Sequence, residues 1–129
     1  MGQQQLLLIV LGVIIVGIAV VVGINVFTAS SMNANRDAII SDCTTIAAMA
    51  QQYYRKPTAM GGGGNDFTGF IIPASLQATA NGSYVASGVG GDVMTLAATG
   101  TEIGTDGSDS VKVTMTVGRD AITGTVINN

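Results

Sequence analysis

The sequence predicts an α+β protein in which a long N-terminal α-helix packs on a small C-terminal antiparallel β-meander. Three observations carry that reading. Leu6 to Ile24 is a run of nineteen residues, all Leu, Ile, Val, Ala or Gly. From Asn25 to Lys56 there is neither Gly nor Pro, and apolar positions recur at helical spacing. Beyond Pro57, helical periodicity gives way to period-two alternation broken by Gly-rich turns.

As a helix, the Leu6–Ile24 run spans ~28 Å at ~1.5 Å per residue, about the thickness of one bilayer core. It is apolar all round, whereas a core helix at the surface of a small globule keeps one polar face. Gly12, Gly17 and Gly23 interrupt it, and each is a place where the helix can unwind locally or approach a neighbour closely. Its continuation carries a seam at Ile39, Cys43, Ile46, Ala50 and Tyr53, while Arg36, Asp37, Asp42, Thr45 and Gln52 fall largely elsewhere. Arg55 and Lys56 oppose the negative end of the helix dipole, and Pro57 stops the helix. One helix from about Gln3 to Arg55 follows, ~80 Å long. Residues 1–27 form its apolar half and residues 28–56 its amphipathic half.

Residues 57–129 read as a β-rich head. After the Met60–Asp66 glycine run, FTGFIIP (67–73) reads as a short strand ended by Pro73, and PASLQ as one helical turn. Four β-like runs follow: Ser83–Ser87, Asp92–Ile103, Ser110–Val117 and Ala121–Ile127. Val111, Val113, Met115 and Val117 alternate on one face of the third. Gly90-Gly91, Thr105-Asp106-Gly107 and Gly118-Arg119-Asp120 supply the turns. A 73-residue head without a disulfide is near the lower limit for an independent core, so its apolar face is expected to cover the seam at Ile39, Ile46 and Ala50.

Charge argues against several function classes. Only 13 of 129 residues are charged, net −3, and His is absent. There is no Lys/Arg cluster to make a nucleic-acid footprint. The usual general base and commonest metal ligand is missing, so no enzyme, cofactor or metal site is expected. The lone Cys43 reads as a small buried hydrophobe, with an intermolecular disulfide as the alternative. Thr105–Asp109 reads as a hairpin turn, since it lacks the alternating ligands of a calcium loop. Asn81-Gly82-Ser83 matches a glycosylation sequon and is also a strong turn signal.

The polar MGQQQ start, the LLLIVLGVIIVGIAVVVGI run, its amphipathic continuation and the β-meander head together resemble type IV pilins and the related pseudopilins. That resemblance implies a structural subunit of a helical extracellular filament, apolar helices forming the core. It also implies a leader peptidase and assembly machinery as partners, membrane lipid around the helix before assembly, and other copies of the chain afterwards. The location implied is the plasma membrane and then the cell surface. A minor pseudopilin or a single-pass membrane-anchored binding module are the alternative readings. Met1, placed before Gly2, is expected to be the first residue left after leader cleavage and the site of N-methylation. Gln5 stands where the family usually carries a glutamate, and no proline kinks the helix in the early twenties. Assembly is accordingly assigned to Gln3, Gln4, Gln5, Leu6, Val13 and Val16.

Overall fold

A computed structural model describes residues 2–128. Helix α1 spans Gly2–Arg55 without interruption. A 3-10 turn follows at Thr58–Met60, then the four-residue α2 at Ala74–Gln77, entered from Pro73. The strands are β1 (Ala78–Thr79), β2 (Gly82–Gly90), β3 (Val93–Ile103), β4 (Ser110–Gly118) and β5 (Ile122–Asn128). All neighbours are antiparallel in the order β1-β2-β3-β4-β5, the meander expected from the turn chemistry.

The chain divides into two compact units, Met1–Ser31 and Met32–Asn129. Residues 28–56 and 57–129, separable in sequence, therefore largely share one unit, and the division falls at Met32, where burial begins. In that second unit the sheet turns one face to α1. Ile39, Cys43, Ile46 and Ala50 are fully buried against Met94, Leu96, Val111, Val113 and Val117. The strict alternation read in β4 is the buried face observed.

Three local expectations need correction. The seam closes on Tyr54, not Tyr53: after Ala50 it advances four residues rather than three, and Tyr54 stacks 4.9 Å from the ring of buried Phe67. Tyr53 turns aside onto Phe70, at 5.6 Å. The 67–73 segment is not a strand. It is a loop pinned by Phe67, whose N–H donates to the Gly91 carbonyl at 3.0 Å, and by Asp66, whose Oδ1 accepts the N–H groups of Thr68 (2.7 Å) and Gly91 (2.9 Å). Those bonds, the Thr68 contacts first, hold the Asp66 carboxyl below its ordinary pKa. Finally, β2 runs to Gly90 rather than Ser87, because a bulge between Ser87 and Gly90, with Gly88 at φ +58°, carries the strand past its turn residues.

Candidate functional site

The first unit consists of a single helical segment whose described side chains are largely exposed. Every large aliphatic or aromatic side chain from Leu6 to Phe27 is between 53% and 75% exposed, and the most apolar window of the helix is wholly unburied. Monomeric soluble proteins rarely leave so large an apolar surface to water. The helix is long and apolar enough to cross a membrane. Gln3, Gln4 and Gln5 form its first turn and are exposed, as are Leu6, Val13 and Val16. Gly12, Gly17 and Gly23 are helical, and a Cβ on any of them would meet nothing within 4 Å. Ala19 and Gly23, flanked by Val22, Val26 and Phe27, leave a concavity on the helix surface. Met1, assigned to processing and methylation, lies outside the described residues.

In the second unit, polar side chains cluster where α1 meets the ends of β1, β2 and β3. Asn35 is buried and spends its whole amide on the sheet. Its Nδ2 donates to the Asn81 carbonyl (2.9 Å) and Thr101 Oγ1 (3.3 Å), while its Oδ1 accepts the N–H groups of Thr101 (3.1 Å) and Glu102 (3.4 Å). These bonds serve β3 across the stretch between Thr99 and Ile103, where its register with β4 slips. Gly100 is required beside it, because a Cβ there would run into Asn35 Oδ1.

Two turns further along, Asp42 Oδ2 accepts from Thr79 Oγ1 (3.2 Å), Asn81 Nδ2 (3.1 Å) and the Tyr84 hydroxyl. The Tyr84 bond above all, with Asn81 and Thr79, keeps the Asp42 carboxyl below its ordinary pKa against a desolvation that would raise it. Burial and the Asp42 bond push the Tyr84 phenol up to about 12, and burial chiefly pushes the Cys43 thiol up to about 11. Cys43 is thus a packed, fully protonated side chain. Asn81 Nδ2, the atom a glycan would occupy, is half-buried and engaged with Asp42. The Thr105–Asp109 segment is the β3–β4 turn, with Asp106 Oδ1 accepting the N–H groups of Ser108 and Asp109 at 3.1 Å each.

The sequence reading set Asp42 away from the seam and passed over Asn35 and Tyr84. The available signal was weak: a polar residue every seven positions beside the seam, facing the Asn-Gly turn and the first β2 aromatic. Among the described residues, no three His, Cys, Asp or Glu side chains gather as a metal site. The polar cluster joins helix to sheet; among the described residues, the Leu6–Phe27 segment is the long continuous run of exposed apolar side chains. Comparison with protein-family models, curated proteins and solved structures gives no match to this chain.

Proposed function

We propose that the chain is the structural subunit of a type IV pilus-like extracellular filament, residues 2–31 of many copies packing into an apolar core. The observation that supports this is the unrelieved exposure of the Leu6–Phe27 side chains. At ~1.5–3 kcal/mol per large apolar side chain buried, seventeen such residues represent a driving force on the order of tens of kcal/mol for leaving water. Lipid provides that burial before assembly and neighbouring copies afterwards, so the chain passes from plasma membrane to cell surface. The staggered, heterologous contact this requires does not close on itself, which is the geometry of fibres.

In such a core Gln5 can hydrogen-bond a neighbour's terminal amine but cannot neutralise it, and charge-assisted bonds are about twice as strong as neutral ones. Gln3, Gln4 and Gln5 together take on that task as a polar cluster. Gln5→Leu therefore weakens assembly in part, while replacing all three abolishes it.

Electron microscopy of sheared cell-surface material tests the reading. Filaments labelled by antibody to this chain are expected. The chain found only as a membrane-bound monomer points instead to a single-pass anchored binding module, and scarce copies confined to a secretion apparatus point to a minor pseudopilin.

A further inference from the structure

We propose that the head sheet continues from one copy to the next, the free edge of β5 pairing antiparallel with the free edge of the neighbour's β2. This rests on the filament reading above and adds to it a specific head-to-head contact.

Open strand edges present unpaired N–H and C=O groups, and proteins normally blunt them with charge, proline, very short strands or a covering segment. Neither long edge here is blunted by its sequence. Ile122–Asn128 and Gly82–Gly90 contain no charged residue and no proline. Ile122, Val126 and Ile127 on β5 and Val85 on β2 are exposed apolar side chains. The other outer strand, β1, pairs only with Gly82 and Ser83, so seven residues of β2, 84–90, lie beyond it. β5 is also seven residues long. Beside that β2 edge runs an apolar groove of about 360 Å³, lined by Phe70, Ile71, Ile72, Val85 and Val89, with Ile71 76% exposed.

Topology supplies the polarity. Strands β2 to β5 are four and alternate in direction, so the two long edges run opposite ways. Copies in a filament all point the same way. Placed side by side in that common orientation, β5 of one meets β2 of the next antiparallel, with the helix-covered face of each sheet on the same side. A five-long-strand meander would bring parallel edges together instead. The edge is ~24 Å long at ~3.4 Å per residue, and a single strand pair buries far less than the ~800 Å² per partner of a stable standard interface. The contact therefore forms only where apolar helices already hold copies together, at high effective concentration.

Val85 and Val126 lie on one row of the outer face, through Ala97 and Thr114, so face parity sets Val126 opposite the neighbour's Val85 or, one register along, Ser87. Filaments of the full chain carrying Val126→Cys with Val85→Cys, and with Ser87→Cys, are oxidised and run on a non-reducing gel. One of the two pairs is expected to give a ladder of covalent oligomers. Filaments that form but ladder with neither pair overturn the strand contact. So does equal laddering with Thr95→Cys on a central strand, or dimers from Val126→Cys alone, which would mean β5 meeting β5. Should these variants not assemble, hydrogen exchange on the unsubstituted protein decides. Amides of residues 84–90 and 122–128 are expected to exchange about tenfold or more slowly in filaments than in detergent-held monomers. Unchanged exchange overturns the contact. Absence of any filament from the unsubstituted chain overturns the filament reading itself.

Discussion

Residues 2–31 and 32–55 belong to the same helix, yet they obey opposite rules. In the second stretch one apolar stripe is buried, and the polar groups that approach it, Asn35 and Asp42, are bonded to the sheet. In the first, aliphatic side chains occupy every face and none is buried. Helix propensity and hydrogen bonding are common to both, so these do not distinguish them. What differs is the partner each needs: the second stretch finds its own head, while the first has no apolar surface within its unit to cover it. A helix can thus be complete in backbone terms and still leave half its length without apolar cover.

Substitutions that separate the two stretches test this contrast. The largest effect is expected from Val16→Asp. An acidic side chain mid-run costs ~2.5–3.5 kcal/mol on insertion scales, repeated in every copy, so filaments are lost while the β-sheet signal in circular dichroism is retained. Filaments of normal number from that variant would remove the apolar run from the core. Next comes Leu96→Ala, which empties a fully buried site under α1 and should destabilise the head by ~2–5 kcal/mol in denaturant unfolding, leaving membrane insertion unchanged. Asn35→Ala leaves the Thr101 and Glu102 N–H groups short of an acceptor at about 1–3 kcal/mol, seen as faster amide exchange at the end of β3.

The smallest effect is a pH dependence confined to the second unit. The Cys43 thiol rises from 9.0 to about 11 and the Tyr84 phenol from 10.0 to about 12, so between about pH 9 and 12 the unfolded chain holds fewer protons than the folded one. Stability therefore falls as pH rises through that window, and Tyr84→Phe should flatten its upper part in thermal melts. Asp42 acts in the opposite sense: its lowered carboxyl contributes stability that is complete above 3.8 and lost as pH falls through its folded value.

Much of the architecture could be read from residue order alone. The apolar run, the helix end at Arg55–Pro57, the single turn after Pro73 and the alternation in β4 each rest on local chemistry: side-chain polarity, a missing N–H, a period of two. The exposed apolar run that carries Leu6, Val13 and Val16 was legible for the same reason, since uninterrupted hydrophobicity is a property of composition and order. Tertiary packing alone decided the rest. Whether Tyr53 or Tyr54 closes the seam depends on where Phe67 arrives, and the 67–73 run, strand-like by composition, becomes a loop because Phe67 and Asp66 tie it to Gly91. The roles of Asn35, Asp42 and Gly100 arise from groups 37 to 67 residues apart meeting at one edge of the sheet, an encounter no local pattern encodes. Polar residues at such junctions look like surface until the opposing backbone brings donors and acceptors that turn desolvation into hydrogen bonds.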